Sequence, residues 1–484
     1  MLFNSIAYLI FFPAVVGLYF AINPKWRWVL LLLASYFFYM FWKVEYVILI
    51  MASTLVDYYA GLKMSRLRKK SQRKKYLILS ILVNLGILAG FKYFNFFGEN
   101  LNLLLGEMNI FYQMPELQVL LPVGISFYTF QTLSYSIDVY RGVTKPEAHL
   151  GRFALYVSFF PQLVAGPIER SNHLLPQIRQ NKTFSTPMVV SGLKLMLWGF
   201  FKKIVIADRI GIYVHSVYEN PAEHNGIPVI LATILFVFQL YCDFSGYTDI
   251  ARGSARVMGY DLIKNFRRPL VAKSIADFWE RWHISLTTWF RDYLYFSLPA
   301  KFKNRVVMWR LQLNILITFI LMGLWHGANW TFLFFGLLNG VYLVVEDITR
   351  PTRQRFFRFS GLDKLPGLLN TAGMFITITL LTVSALFFRA NTISSGFALL
   401  GNAFCFEDMT RSLMDILKNN EIMFAILQII FLMVVEWYHE KKDLVRQIAS
   451  RPLWIRWSLY LAFFFYVVMF GIMDKPQEFI YFQF

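Results

Sequence analysis

Leu311-Gln-Leu-Asn-Ile-Leu-Ile-Thr-Phe-Ile-Leu-Met-Gly-Leu-Trp-His-Gly-Ala-Asn-Trp330, continued by Thr331-Phe-Leu-Phe-Phe-Gly-Leu-Leu-Asn-Gly-Val-Tyr-Leu-Val-Val-Glu346, contains no Asp, Glu, Lys or Arg before its last residue. A helix crosses a hydrocarbon core of about 30 Å with about 20 residues. The stretch is too long for one crossing, and it is interrupted between Gly323 and Asn329. It therefore reads as a hairpin of two membrane helices. From Arg310, about fifteen residues at a rise of 1.5 Å advance about 23 Å, less than the full core, which places His326 deep in the membrane. Polar groups at such depth are costly and mark candidate sites. Gly323 and Gly327 allow backbones or a ligand to come close, and the Asn329 amide must find a partner. A neutral imidazole in a low-dielectric site can take a proton from a hydroxyl. A hydrogen-bonded core histidine is the competing reading.

The rest of the chain has the same character. Its 484 residues are 57% hydrophobic, 18% aromatic and 16% charged, with a mean hydropathy of +0.47, whereas soluble domains carry about 25% charged residues. Disorder and a secreted disulfide scaffold are excluded. Cys242 and Cys405 are too few for a disulfide framework and lack metal-ligand spacing, so they read as packing residues, with no metal and no bound cofactor expected. The formal net charge of +19 lies between the apolar runs. Lys63, Arg66, Arg68, Lys69, Lys70, Arg73, Lys74 and Lys75 form a loop without an acid. This is a positive-inside signal, compatible with binding anionic headgroups, and not a nucleic-acid patch.

Spans are expected near Ser5 to Ile22, Trp26 to Phe41, Val44 to Leu62, Tyr76 to Phe97, Leu117 to Tyr140, Pro187 to Val217, Ile227 to Ile250, Thr371 to Phe388, Glu421 to Tyr438 and Ile455 to Met473, besides the hairpin. Phe153 to Pro167, short and broken by Pro161 and Gly166, reads as re-entrant. The fold class is thus an all-α polytopic membrane protein with about 11–13 transmembrane or re-entrant segments. It is one integral-membrane domain, with a catalytic core expected over residues 239–345. A cytoplasmic Lys63 to Lys75 loop puts both termini, including Asp474 to Phe484, outside the cytoplasm. The first span lacks a basic leader and a cleavage site, so it is expected to be retained. Paired broken helices of inverted repeats, the pointer to a secondary transporter, are not evident.

Two further polar clusters stand out. In Gln239-Leu-Tyr-Cys-Asp-Phe-Ser-Gly-Tyr-Thr-Asp249, Asp243 and Asp249 follow an apolar helix that Gly246 is expected to end or bend, with capping and interfacial ion pairing as the plain reading. Asn265-Phe-Arg-Arg-Pro-Leu270 precedes Ser274-Ile-Ala-Asp-Phe-Trp-Glu-Arg-Trp-His-Ile-Ser-Leu-Thr-Thr-Trp-Phe-Arg-Asp292. There Ser274 and Asp277 read as a capping box, Asp277 and Arg281 as an i, i+4 pair, and Trp279, Trp282, His283 and Leu286 as one helix face. Such a helix can lie on the membrane surface, although that does not account for a His on its apolar face. His149, His173, His215, His224 and His439 read as structural.

These three stretches resemble the signature of the membrane-bound O-acyltransferase family, and most closely its bacterial alginate O-acetyltransferase branch. Leu121-Pro-Val-Gly-Ile-Ser-Phe-Tyr-Thr-Phe130, Asp138-Val-Tyr-Arg-Gly142, Phe160-Pro-Gln-Leu-Val-Ala-Gly-Pro167, Phe387-Phe-Arg-Ala390 and Phe479-Ile-Tyr-Phe-Gln-Phe484 are also similar to that branch. Their shared order makes the likeness specific. The resemblance implies a helical fold whose cytoplasmic and outer funnels meet near the bilayer middle, an acetyl-CoA donor on the cytoplasmic side, and His326 as the catalytic base at the meeting point. His283 matches the family's second polar position, held by His, Asn or Asp, with a catalytic or entrance-organising role. Asp243, Ser245, Asp249, Arg267, Arg268, Trp279, Trp282, Arg291, Trp325 and Asn329, all within these matched stretches, become candidates for binding donor or substrate.

The activity so implied is membrane O-acetylation of an exported, alginate-like polysaccharide, with an extracytoplasmic partner acyltransferase completing the transfer. Peptidoglycan O-acetylation and D-alanyl transfer to teichoic acid are the alternatives within the family. A transporter without transferase activity is the reading outside it.

Overall fold

The structure, a computed structural model, describes residues 1–110, 112–164, 166–302, 305–406, 409–473 and 477–482. It is helical apart from a short pairing of Lys301–Phe302 with Arg305–Val306. Among the described residues, eight helices are long and apolar enough to cross a membrane: Val44–Arg66, Lys70–Glu107, Ile227–Val257, Met308–His326, Trp330–Phe359, Pro366–Arg389, Asn420–Lys441 and Leu453–Phe470. The chain is a multi-pass membrane protein. Other expected spans are shorter helices, such as Ile6–Ala21, Arg27–Met40 and Ile125–Arg141. The chain divides into two compact units, one of residues 1–196 with 248–263, the other of residues 197–247 with 264–483.

In the first unit the helices Val47–Arg66, Lys70–Leu88 and Ile125–Arg141 surround a fully buried Asp57. Its carboxylate accepts from Ser136 Oγ at 2.6 Å, from Asn84 Nδ2 at 2.8 Å and from the Ser80 hydroxyl, which satisfies an acid that lipid would not tolerate bare. The expected span from Leu117 begins as a helix only at Ile125. Gly124 sets that start with φ +77°, and a Cβ there would lie 2.7 Å from the Leu163 carbonyl oxygen. The re-entrant candidate forms the short helices Leu150–Ser158 and Phe160–Leu163, buried in protein. The side-chain amides of Gln131 and Gln162 both donate to the Tyr156 carbonyl, at 2.6 and 2.7 Å, so side chains satisfy backbone that the break leaves open.

In the second unit the hairpin is present as Met308–His326 and Trp330–Phe359. Its helices touch backbone to backbone, since a Cβ on Gly323 would lie 2.2 Å from the Phe332 carbonyl oxygen and one on Gly336 2.3 Å from that of Phe319. Two expectations are corrected here. The helix Ile227–Val257 does not end at Gly246 but runs on through it. A Cβ on Gly246 would lie 2.8 Å from the Gly199 carbonyl oxygen, so the glycine serves close helix packing and Asp243 sits mid-helix. The block after Ser274 is no surface helix either. It breaks into Ile275–Arg281 and Ile284–Trp289, with Phe278, Trp279, Trp282, Leu286 and Trp289 buried. Two short helices joined at His283 direct that apolar face into protein.

Candidate active site

His326 closes the first hairpin helix, and Gly327 leaves it in extended backbone. A Cβ on Gly327 would meet the Phe332 ring at 2.1 Å, so only glycine lets the chain turn this tightly beside the imidazole. Asn329 caps the next helix, its Oδ1 accepting from Thr331 N at 3.0 Å while its Nδ2 donates to the Asn391 carbonyl at 3.0 Å. The turn is thus held from both sides. His326 is 3% exposed. Its ring centroid lies 5.1 Å from Trp325, 5.3 Å from Phe388, 5.6 Å from Tyr481 and 5.9 Å from Phe335.

His283 is fully buried and lies in the same cluster, with its ring 4.6 Å from Phe244, 5.8 Å from Trp325 and 6.4 Å from Tyr481. The two histidines therefore share Trp325 and Tyr481 as neighbours. This is a buried, aromatic surrounding in which an uncharged imidazole can act as a base and polar interactions are strengthened. Both rings are covered, so a reactant reaches them only when covering side chains move.

His283 is presented by a local helix cap and by contacts from farther along the chain. Ser274 Oγ accepts from Asp277 N at 3.2 Å, as its cap position predicts, and Asp277 pairs with Arg281 at 2.5 Å. The Asp277 carboxylate also accepts from Lys273 N at 3.0 Å, and Glu346 accepts from Ile275 N at 2.9 Å. His283 then adopts φ +41°, a left-handed conformation that costs a non-glycine residue energy and that Asn and Asp adopt most readily. Asn265, 1% exposed, holds this conformation. Its carbonyl accepts from Ile284 N at 2.9 Å, and its Oδ1 accepts from Ser285 Oγ at 2.8 Å and Ser285 N at 3.2 Å. Asn265 was not among the residues singled out by sequence. A lone amide opening an aromatic and basic stretch was its only signal.

Burial, and after it the nearby His326, holds the His283 imidazole well below its usual range. The unfolded chain takes up a proton on this ring below about pH 6.5 that the folded protein refuses. The stability associated with it is complete above about pH 6.5 and is lost as pH falls toward the folded value, at about 1.4 kcal/mol per pH unit. Thermal melts of detergent-solubilised protein should drop more steeply between pH 6.5 and 5.5 than those of His283→Asn, which keeps the backbone conformation and removes the titration. Parallel curves for the two proteins would contradict this.

The Asp243 region is an ion-pair centre. Lys203, 1% exposed at its side chain, places Nζ 2.8 Å from Asp208 and 2.7 Å from Asp243 and donates to the Gln477 carbonyl at 3.2 Å. Asp243 also accepts from Ile480 N at 2.8 Å. Lys203 belongs to the π-helical turn Phe201–Ala207, and the adjacent Lys202 donates to Ser245 Oγ at 2.9 Å. The C-terminal segment is thereby pinned beside Phe244 and Tyr247, each within 5.4 Å of Phe479, and carries Tyr481 against both imidazoles. Burial, reinforced by Asp243, raises the Tyr481 phenol, which stays a neutral hydroxyl. Lys202, Lys203 and Tyr481 were missed by sequence reading. Two consecutive lysines within an apolar run were the available signal.

The other candidates are dispersed. Trp325 joins the imidazoles, while Trp279 packs edge-on against Phe319 at 5.1 Å and Trp282 against Phe266 at 5.1 Å. Arg268 pairs with Glu440 at 2.7 Å and Arg291 with Asp292 at 2.9 Å. Arg267 is exposed and makes no ion pair among the described residues. Asp249 belongs to the first unit and faces Arg252 at 3.6 Å. No group of His, Cys, Asp and Glu among the described residues has a metal-holding arrangement.

Comparison with known proteins gives an independent finding. Residues 35–388 match the model of the membrane-bound O-acyltransferase family. The chain is 35% identical over 458 residues to a probable alginate O-acetylase of Pseudomonas putida, covering 93% of this chain and 90% of the relative. It is 34% identical to its counterpart in Pseudomonas aeruginosa, covering 91% and 83% of the two chains. A peptidoglycan O-acetyltransferase of Helicobacter pylori is 33% identical, covering 79% and 74%.

Proposed function

This chain belongs to the membrane-bound O-acyltransferase family and is an acyltransferase; from that premise we propose that it moves acetyl from cytoplasmic acetyl-CoA across the inner membrane for O-acetylation of an exported, alginate-like polysaccharide. The observation that carries this reading is the convergence of His326 and His283 on one buried aromatic site, shared through Trp325 and Tyr481. His326 takes the proton of the attacking hydroxyl, the oxygen bonds to the acetyl carbon, and the carbon–sulfur bond breaks. The proton then passes to the departing thiolate, which leaves as CoA. His283, held neutral, donates or accepts a hydrogen bond at the same centre. The exposed Arg267 meets the nucleotide phosphates, and an extracytoplasmic acyltransferase partner completes delivery.

Peptidoglycan as acceptor is the second reading, favoured by the Helicobacter relative. Mass spectrometry of envelope glycans from a deletion strain separates the two. The proposal expects acetyl esters to vanish from the exported polysaccharide and to return with the wild-type gene but not with His326→Ala. A loss confined to peptidoglycan supports the second reading, and unchanged esters in every glycan contradict both.

A further inference from the structure

We propose that the second unit carries a carbohydrate subsite, whose lining does not include the two imidazoles, that holds pyranose residues of the acceptor polysaccharide; this rests on the acyltransferase reading above. A cleft of about 440 Å³ opens between Tyr213, the loop Glu223-His-Asn225, and Arg411, Asp415 and Asn419. That volume lies within the range of small-ligand sites.

Its walls are preformed. Gly226, at φ +62°, brings the loop against the segment after Asn402, where a Cβ would lie 2.8 Å from the Cys405 carbonyl oxygen. Gly226 N donates to the Asn402 carbonyl at 2.8 Å, and Asn402 Nδ2 donates to the Pro221 carbonyl at 2.8 Å. Opposite, Ile416 and Ile422 are buried and anchor the helix Met409–Lys418 and the start of Asn420–Lys441.

The chemistry of the lining selects the ligand. The side chains of Glu223, His224, Asn225, Arg411 and Asp415 make no hydrogen bond or ion pair among the described residues. Two carboxylates, a guanidinium, an imidazole and an amide offer acceptors and donors together, which suits vicinal hydroxyls, each both donor and acceptor. A nucleotide, whose charge is concentrated on adjacent phosphates, would meet Glu223 and Asp415 and be repelled, whereas a uronate chain spreads one carboxylate over each ring. Arg411 can accept a single sugar carboxylate, and the half-buried Tyr213 presents an aromatic wall for a sugar ring.

The location agrees. The cleft adjoins the end of the bundle where the His326 helix finishes, linked through Asn329 to Asn391 and onward from the helix Ile393–Asn402 to Pro221.

Saturation-transfer NMR on the full chain in nanodiscs tests this, with mannuronate tetrasaccharide and neutral cellotetraose as probes. The expected result is saturable transfer to ring protons of at least one probe, weakened tenfold or more by Tyr213→Ala and by Asp415→Ala. Arg411→Ala should weaken the uronate and spare the neutral sugar. Absence of saturable binding for both probes, or binding that all three variants leave unchanged, overturns the proposal. CoA release from acetyl-CoA is measured on the same wild-type samples. A wild-type protein that binds sugar but releases no CoA refutes the acyltransferase chemistry and leaves the subsite standing, while the converse refutes only the subsite.

Discussion

Cells carrying His326→Ala should lose acetyl transfer by about 10²- to 10⁴-fold, the usual contribution of a positioned general base, while the protein still accumulates in the membrane. The ring lies between Trp325, Phe335, Phe388 and Tyr481, so its removal leaves a void. A loss of folding would appear as lower membrane abundance, and His326→Gln separates the two causes. Gln keeps a polar side chain of similar reach but cannot take a proton near neutral pH, so it should be as inactive as Ala and at least as abundant. Ester content per unit of membrane protein is the measurement. Activity in His326→Gln within a few fold of wild type would remove proton transfer by this ring from the mechanism. His283→Asn should be milder if the ring positions instead of reacting, because Asn tolerates the φ of +41° at this position.

The largest effect on stability should come from Lys203→Met. The ammonium stands between the carboxylates of Asp208 and Asp243, with all three side chains at most 4% exposed. Deleting it leaves two buried acids facing each other, and breaking a buried pair in this way costs about 3–5 kcal/mol. Asp208→Asn leaves one balanced pair and should cost much less. The triple variant Lys203→Met, Asp208→Asn, Asp243→Asn removes every charge and should recover most of the loss, since neutral replacement of a buried ion pair is often tolerated. Thermal melts monitored by size-exclusion recovery give the order. A Lys203→Met protein as stable as Asp208→Asn would mean that the acids are neutral in the native state. Since Lys203 and Asp243 also hold the Gln477 and Ile480 backbone, the variant should lose activity along with stability.

How far the sequence could be read depends on the range of the interactions involved. The hairpin and His326 were legible because a long apolar run broken by glycines has one sensible folding, and because a polar ring inside it has to be explained. The Ser274 cap and the Asp277–Arg281 pair were legible because both are set within four residues. The break at His283 was not, since helix periodicity continues through it and the left-handed turn is imposed by Asn265, at a distance along the chain. Gly246 was misread because a glycine in a helix signals either a bend or a close neighbour, and the neighbour here, Gly199, belongs to another helix. Tyr481 was invisible as a site residue because its segment is placed by Asp243, 237 residues earlier than Ile480. The paired lysines at 202 and 203 were absorbed into an apolar span whose length drew attention before its charges. Of the candidate donor residues, Asp243 and Ser245 are engaged by lysines and Arg268 by Glu440, so ion pairing within the fold, which spacing alone does not show, limits what remains to meet a nucleotide.

The central claim is that a buried imidazole at His326 performs acyl transfer from acetyl-CoA. Purified protein in sealed liposomes, supplied with acetyl-CoA on the face bearing Arg267 and with a mannuronate oligosaccharide as hydroxyl acceptor on the other, measures it directly through release of free thiol. The account predicts catalytic CoA release in wild type, reduced to background in His326→Ala and in His326→Gln. Thiol release that continues at the wild-type rate in either variant would contradict it.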